Sequence, residues 1–244
     1  MADDRLLINV LGNSLAIPSP KQGLYYRGTY AALVAAGLGA GAVVVNRARR
    51  NMTVVDQTRD INVEDDIVHI RADYHIIHLG IVDCAPRLFT TQEQKLMKFL
   101  PLSRVIIRWA SRHRRFLTRK IPKVYVRREV FDERFRRLLD VIHESTPSRK
   151  TFIINIAATK ERNIQRSFGI ERNIANYNAV LRDVVRDAPG DAVLIDFHEK
   201  TVSNPSFVAE DGIHVTPDGH RWLAAELVRL IKECEVAQTA CPVA

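Results

Sequence analysis

The chain has 244 residues, of which 46% are hydrophobic and 26% are charged. This composition is typical of one soluble α/β domain and excludes disordered and collagen-like chains. The formal net charge of +8 favours an anionic partner or surface without identifying it. The three cysteines, Cys84, Cys234 and Cys241, have neither the spacing of a zinc ribbon nor that of a disulfide framework, which favours a reducing compartment.

The N-terminal segment and the longest uncharged stretch do not resemble membrane-targeting signals. The first residues are acidic, whereas a secretory signal begins with a positive region and continues into a longer apolar run. Residues 28–46 carry no charge, but glycines interrupt them, and their composition changes from alanine to valine. We therefore predict helix, turn and strand there, and expect a cytoplasmic protein, either free or peripheral to a membrane.

Five short apolar runs predict five buried strands of one parallel sheet. Helical segments separate most of them, and right-handed crossovers place helices on both faces of such a sheet. The predicted strands are residues 6–11, 42–45, 75–79, 152–156 and 192–196. The predicted fold class is α/β, a doubly wound sheet of about five parallel strands in a three-layer α/β/α sandwich that occupies residues 1–244 as a single domain.

Helices are predicted around this sheet from composition and end signals. The last helix begins at Thr216 and Pro217, because threonine caps a helix N-terminus and proline fits the first helical position. This helix is predicted to run to about Cys234, with a frayed tail over 235–244. The other predicted helices are residues 30–38, 91–100, 104–119, 131–144 and 171–186.

Polar residues that can do chemistry follow the predicted strands. Ser14 follows the first strand, and Asp211 and His214 lie in the loop after the fifth. The carboxyl ends of parallel strands share one rim, where ligands bind. Ester hydrolysis requires a nucleophile, a base and a group that orients the base, and these roles fit Ser14, His214 and Asp211. A lone serine or histidine would more simply be a helix cap; the combination favours catalysis.

These residues resemble the SGNH/GDSL hydrolase family. Gly12-Asn13-Ser14-Leu15 is similar to the first sequence block of that family, and residues 211–220, Asp-Gly-Ile-His-Val-Thr-Pro-Asp-Gly-His, are very close to its last block. The resemblance covers nearly the whole chain. It implies a flavodoxin-like sheet, Ser14 as nucleophile, His214 as base and Asp211 as its partner, without metal or cofactor.

The sequence departs from this family where the oxyanion is stabilised. The family's glycine donor falls on Asn51, whose backbone amide can still donate, and its asparagine donor falls on Val82, which cannot donate. Arg87 has three interpretations: a donor to the oxyanion, a ligand for a substrate carboxylate or phosphate, or a partner of Asp83. The candidate oxyanion and substrate-binding residues are Asn13, Asn51, Gly80, Asp83, Arg50 and Arg87.

Two other groups near this rim are assigned structural roles. Cys84 has no histidine partner of its own, so a buried thiol is a better interpretation than a nucleophile. His75 and His78 flank the third strand, but strand alternation sends them to opposite faces, which disfavours a shared metal site.

The positive charge is concentrated in one segment. Residues 103–137 contain thirteen Lys and Arg against three acids, an excess of ten, so the rest of the chain is net −2. Five arginines lie along one stripe of the predicted helix, which is either a solvated face or a surface for an anionic membrane or a polyanionic glycan; they are Arg104, Arg108, Arg112, Arg115 and Arg119. Nucleic acid is disfavoured because no recognised binding motif accompanies the charge.

The basic segment lies between the third and fourth predicted strands. Residues 88–137 are therefore expected to form a basic helical insertion that folds over the strand ends as a lid.

The sequence predicts a serine esterase that cleaves a small acyl ester, such as a sugar O-acetyl group, or a lipid acyl ester. Transfer of the acyl group to a sugar hydroxyl is the alternative on the same triad. A binding or scaffold protein of polysaccharide or membrane-surface metabolism is the second hypothesis, because Val82 replaces the expected donor.

Overall fold

Five parallel strands form one sheet at the centre of the molecule. The computed structural model describes residues 5–97, 99, 102–146, 148–188 and 190–240. All neighbouring strands are parallel, in the order β2-β1-β3-β4-β5. This arrangement confirms the predicted fold class. The strands are β1 (Leu6–Gly12), β2 (Ala42–Asn46), β3 (Tyr74–His78), β4 (Lys150–Ile154) and β5 (Ala192–Ile195).

Helices cover both faces of the sheet. α1 and α12 pack against each other on one face, and α8 packs against α2 and α10 on the other. The long helices are α1 (Tyr30–Leu38), α6 (Ser103–Arg112), α8 (Arg128–Ser145), α10 (Ile170–Arg186) and α12 (Pro217–Ala240). The short ones are α2 (Val54–Gln57), α3 (Asp60–Val63), α4 (Ile81–Cys84), α5 (Thr91–Met97), α7 (Arg114–Lys120), α9 (Glu161–Arg166) and α11 (Phe197–Ser203).

The helix predicted over residues 104–119 is two helices. His113 leaves the helical conformation at φ −99° and ψ 20°, and α6 ends there while α7 begins. After this break Arg114 turns inward, where its Nε donates to Ser167 Oγ at 2.8 Å and its Nη2 donates to the Pro86 carbonyl at 2.6 Å. A single straight helix was therefore the wrong prediction, because these tertiary contacts outweigh the local helical pattern.

The last helix is longer than predicted. Thr216 accepts from the Gly219 amide at 3.3 Å, in agreement with its predicted capping position, and the helix continues past Cys234 to Ala240. Glu235 accepts two hydrogen bonds from Arg149 Nη1, at 2.8 and 2.9 Å. This anchor explains why residues 235–240 are helical where fraying was predicted; residues 241–244 lie outside the described part of the chain.

The sheet interior contains two neutral histidines. His75 and His78 are buried, with His75 beside the Asn9 side chain and the His78 ring between Tyr30 and Phe197. Burial lowers the pKa of His75 to about 4 and that of His78 to about 3. Both histidines are therefore packing residues of the core, one of the two structural roles that the sequence left open. None of the described helices has the length and apolar character needed to cross a bilayer.

The strand order creates a crevice at the carboxyl end of β1. The chain leaves β1 for β2 on one side and returns to β3 on the other, so loops diverge at this position and leave room for a ligand. Ser14 follows β1 directly, and Gly80 follows β3. The fold thus places the Ser14 and Gly80 turns, which border the predicted site on two sides, next to each other.

Candidate active site

The Ser14 turn is held in place by the end of β1, by the Asn13 side chain and by Asn46. Ser14 begins a 3-10 turn, Ser14–Ala16, immediately after β1, and the buried Asn13 side chain accepts from the Leu15 amide at 3.0 Å. Asn46, the last residue of β2, donates from Nδ2 to the Ala16 carbonyl at 2.8 Å. The position of Ser14 is therefore determined by the ends of the strands themselves.

Asp211 and His214 form one compact turn before α12. Asp211 Oδ1 accepts from the Ile213 and His214 amides, both at 2.9 Å, and Asp211 Oδ2 lies 2.6 Å from His214 Nδ1. Gly212 has φ 72°, a conformation that glycine adopts without strain, and a Cβ there would lie 2.9 Å from Asn163 Cβ. The predicted pairing of Asp211 with His214 is therefore present in the structure.

Electrostatics fix the tautomer of His214. Partial burial raises the pKa of Asp211, but the His214 side chain and the His214 and Ile213 amides lower it further, to about 2. An ionised carboxylate can only accept hydrogen bonds, so Nδ1 of His214 must carry the proton. Nε2 then has a free lone pair, which is the arrangement that a general base requires.

Gln22 joins the two segments of the site. Its Nε2 donates to Asp211 Oδ2 at 3.1 Å, although the two residues lie 189 positions apart in the chain. Gln22 ends a short 3-10 turn, Pro20–Gln22, in the loop after Ser14. Gln22 could not be identified from the sequence, because a glutamine in a loop belongs to no motif that indicates a functional role.

Ser14 and His214 are not hydrogen-bonded to each other. Ser14 Oγ makes no hydrogen bond with any described residue, and its side chain is half-buried. The His214–Asp211 pair is thus assembled, whereas no hydrogen bond joins Ser14 to it. Catalytic hydrogen bonds are often long or poorly aligned in enzymes without bound substrate.

Two backbone amides near Ser14 have no acceptor in the described structure. These are the amides of Ser14 itself and of Asn51. Asn51 has φ 60°, the left-handed conformation that favours glycine and that asparagine tolerates better than most other residues. The resemblance places a family glycine at this position. Asn13 Nδ2 is also without a partner, but it is buried.

The side of the site opposite the Ser14 turn is formed by Gly80, Val82 and Asp83. Val82 is buried in α4 and offers no polar side-chain atom. Gly80 has φ 119°, and a Cβ there would lie 2.7 Å from Ile156 Cδ1, so both the backbone and the packing require glycine. Asp83 is fully buried and accepts from the Val54 amide at 2.9 Å, which ties this rim to the segment after Asn51.

The two arginine candidates make structural contacts. Arg50 donates from Nη2 to the Pro18 carbonyl at 3.0 Å, and Arg87 donates from Nη2 to the Val82 carbonyl at 3.0 Å. The Arg87 guanidinium also lies over the Tyr125 ring, 4.1 Å from its centroid. Within the described residues no hydrogen bond or close ion pair joins Arg87 to Asp83, although burial lowers the pKa of Arg87 and the charge of Asp83 acts to raise it.

Cys84 and the acidic and imidazole side chains do not indicate other chemistry. Cys84 is fully buried, and burial raises the pKa of its thiol far above the usual range, which agrees with a structural role. Among the residues that the structure describes, no three His, Cys, Asp or Glu side chains are arranged to hold a metal ion.

Comparison with known proteins adds independent information. The model of the GDSL-like lipase/acylhydrolase family matches residues 10–222. The chain is similar in fold to a lipase/acylhydrolase from Enterococcus faecalis, with a TM-score of 0.66, 16% identity and coverage of 93% of this chain and 96% of that one. It is also similar to Axe2, an acetylxylan esterase from Geobacillus stearothermophilus, with a TM-score of 0.61, 17% identity and coverage of 94% and 95%. No curated protein matches the chain in sequence.

Proposed function

The chain belongs to the GDSL-like lipase/acylhydrolase family, hydrolases of ester bonds, and we propose that Ser14, His214 and Asp211 carry out its reaction. The observation that carries this proposal is the 2.6 Å contact between Asp211 Oδ2 and His214 Nδ1 on the rim that also bears Ser14. The contact fixes the tautomer in which Nε2 can take a proton.

The proposed reaction has two steps. Ser14 Oγ attacks the carbonyl carbon of the ester while His214 Nε2 takes the hydroxyl proton, and the imidazolium then gives this proton to the departing alcohol. In the second step a water molecule attacks the acyl carbon while His214 Nε2 takes its proton. The bond to Ser14 Oγ then breaks, the carboxylic acid is released, and His214 returns the proton to Ser14. The ionised Asp211 stabilises the imidazolium in both steps.

The oxyanion requires donors that compensate for Val82. The unpaired amides of Ser14 and Asn51 are the candidates that best fit this role, since both belong to loops at the same rim and neither has another acceptor. Losing one of three donors typically lowers turnover by ~10²–10³-fold, so we expect a slow enzyme.

The proposed substrate is a small acyl ester, such as a sugar O-acetyl group, or a lipid acyl ester. The acetylxylan esterases among the structural neighbours favour the acetyl group. An acyltransferase is the second candidate, in which a sugar hydroxyl replaces water in the deacylation step. A catalytically weak binding or scaffold protein is the third, and Val82 is the observation that favours it.

Labelling with an alkyl fluorophosphonate tests the activation of Ser14. Intact-mass measurement of the wild type should show one adduct, absent in Ser14→Ala and in His214→Ala. Ser206, a surface serine in another loop, is the control, and Ser206→Ala should keep the adduct. A folded wild-type protein that stays unlabelled at neutral and mildly alkaline pH would favour the binding or scaffold function.

Turnover of p-nitrophenyl acetate and of longer-chain p-nitrophenyl esters then separates acetyl from lipid substrates. Addition of a sugar acceptor separates transfer from hydrolysis, because transfer raises the release of p-nitrophenol without releasing an equal amount of free acid.

A further inference from the structure

The basic insertion presents an apolar stripe to solvent. Leu102, Val105, Ile106 and Trp109 have the spacing i, i+3, i+4 and i+7, which places them along one side of α6. They are exposed by 66%, 64%, 40% and 56%, and Phe99 just before them by 84%. Apolar side chains on a surface helix normally face the core, but none of the described residues covers this stripe.

Cationic side chains form a second stripe on α6. Arg104, Arg108 and Arg112 follow one another at intervals of four residues on α6, and none of them has an ion-pair or hydrogen-bond partner among the described residues. The sequence from residue 94 to residue 128 contains twelve Lys and Arg and no Asp or Glu. We call this combination of Phe99, Leu102, Val105, Trp109 and the three arginines the α6 surface.

The helix that follows α6 is hydrogen-bonded to the body of the domain. Arg115 Nη1 donates to the Ile164 carbonyl at 2.8 Å, and Thr118 Oγ1 accepts from the Phe168 amide at 3.0 Å. Together with the contacts of Arg114, these bonds attach α7 to the segment after β4. The apolar stripe is therefore presented by a docked element at the carboxyl end of the sheet.

An apolar cavity of about 210 Å³ opens behind the stripe. Ile106 and Trp109 line it from α6, and Leu117 and Ile121 line it from the segment that follows. The stripe is thus the outer edge of a larger apolar region that reaches into the insertion.

Charge and apolarity together select one kind of occupant. A second copy of this chain would place two surfaces without acidic residues against each other, which like-charge repulsion disfavours. A soluble polyanion such as a glycan or a nucleic acid would pair with the arginines but leave the apolar stripe in water. An anionic lipid bilayer satisfies both parts, with phosphates at the arginines and the acyl boundary at the apolar side chains.

We propose that the α6 surface binds anionic lipid bilayers peripherally. Leu102, Val105 and Trp109 enter the interface between headgroups and acyl chains, and Arg104, Arg108 and Arg112 contact lipid phosphates. The axis of α6 lies in the plane of the membrane. This inference does not depend on the catalytic role of Ser14.

Vesicle co-sedimentation tests the proposal. The full chain should bind vesicles of phosphatidylcholine mixed with phosphatidylglycerol, and much less those of phosphatidylcholine alone, and high salt should weaken the binding. The emission of Trp109 should shift to the blue on binding when it is measured in Trp222→Phe, because Trp222 is the other tryptophan.

Two pairs of variants separate the α6 surface from general effects. Leu102→Ser with Val105→Ser should weaken vesicle binding by ~10-fold or more, whereas Ile61→Ser with Val202→Ser should not, although Ile61 and Val202 are exposed by 66% and 53%. Arg104, Arg108 and Arg112 changed to Gln should weaken binding and flatten its salt dependence. The charge-matched control changes Arg59, Arg186 and Lys232, three exposed cations on other elements, to Gln.

Three results would overturn the proposal. The first is a folded wild-type protein that binds neither vesicle. The second is an equal loss of binding in the control variants. The third is a wild-type dimer, measured by light scattering, that dissociates in the Leu102→Ser and Val105→Ser protein, since a second copy would then cover the surface. Fluorophosphonate labelling of Ser14 should be unchanged in the α6 variants, so membrane binding and esterase chemistry are tested separately.

Discussion

Gln22 Nε2 and His214 Nδ1 donate to the same oxygen, Asp211 Oδ2, at 3.1 and 2.6 Å. The loop that follows Ser14 is thereby attached to the turn that carries the base. In the proposed reaction Gln22 would be a positioning residue, because its contact with the site is the hydrogen bond to Asp211.

Replacing Gln22 should alter the site without removing any catalytic group. Gln22→Ala removes one hydrogen bond to a charged acceptor and should lower kcat by about 3–10-fold with little change in KM. Gln22→Glu should lower kcat further, because a second carboxylate beside Asp211 opposes its ionisation and should move the acid limb of the pH–rate profile upward. Gln165→Ala, which removes an exposed hydrogen bond to Glu161, is the control. Equal rates for Gln22→Ala and wild type would contradict the role of Gln22.

Asp211→Asn should be more harmful than Asp211→Ala. The Ile213 and His214 amides hold an oxygen at the Oδ1 position, so the new amide nitrogen takes the place of Oδ2 and faces His214 Nδ1. The imidazole must then accept at Nδ1 and carry its proton on Nε2, which removes the base. We expect kcat to fall by ~10³-fold or more, measured by steady-state kinetics.

Asp218→Asn, at the start of α12, is the control for Asp211→Asn. Asp218 is exposed, and its one ion-pair partner among the described residues is Arg221, so its loss should leave kcat near the wild-type value. If Asp211→Asn and Asp211→Ala had equal rates, the tautomer argument would be wrong.

Val82→Asn should speed the enzyme at the expense of its stability. The resemblance places a donor at this position, and asparagine can supply one where valine cannot. The side chain is buried, so any polar atom that does not reach the substrate or another partner costs about 1–3 kcal/mol. We expect kcat to rise by ~10-fold or more and the melting temperature to fall. Val82→Thr, of similar volume, is the control for added polarity, and an unchanged kcat in Val82→Asn would place the missing donor elsewhere.

Asp83 should make the free energy of unfolding smaller as pH rises. Burial raises the pKa of Asp83 to about 7, against the lowering effect of the Val54, Asp83 and Gly80 amides. Between the unfolded pKa of about 4 and this value the folded state binds the extra proton, so the contribution of Asp83 to stability is complete at low pH and is lost as pH rises. His75, His78 and His220, whose pKa values burial lowers, act with the opposite sign.

Asp83→Asn isolates the contribution of Asp83. Asparagine retains an acceptor for the Val54 amide and does not ionise, so the variant should gain stability relative to wild type as pH rises from 5 to 8. Urea unfolding at the two pH values measures this difference, and Asp140→Asn, an exposed acid on α8, is the control. A constant difference between Asp83→Asn and wild type would show that the pKa of Asp83 is not raised.

The parallel sheet could be predicted from the amino-acid sequence alone, and the sequence also suggested the trio of Ser14, Asp211 and His214 that we propose as catalytic. Buried parallel strands have nearly continuous apolar sequences, and the turn that pairs Asp211 with His214 spans only four residues, so local pattern suffices for both. The same holds for Thr216, whose capping role depends on neighbouring amides alone. The resemblance to a known family rests on these local blocks.

The contacts between distant segments could be identified only in the folded protein. The bond from Gln22 to Asp211, the break at His113, the anchoring of Glu235 and the stacking of Arg87 on Tyr125 all depend on residues that meet through folding. No local pattern encodes such partners, because the side chains involved are ordinary polar residues whose energies depend on burial and geometry. The exposure of Leu102 and Val105 is likewise a property of the fold. An apolar stripe in the sequence of a helix does not show whether another element covers it.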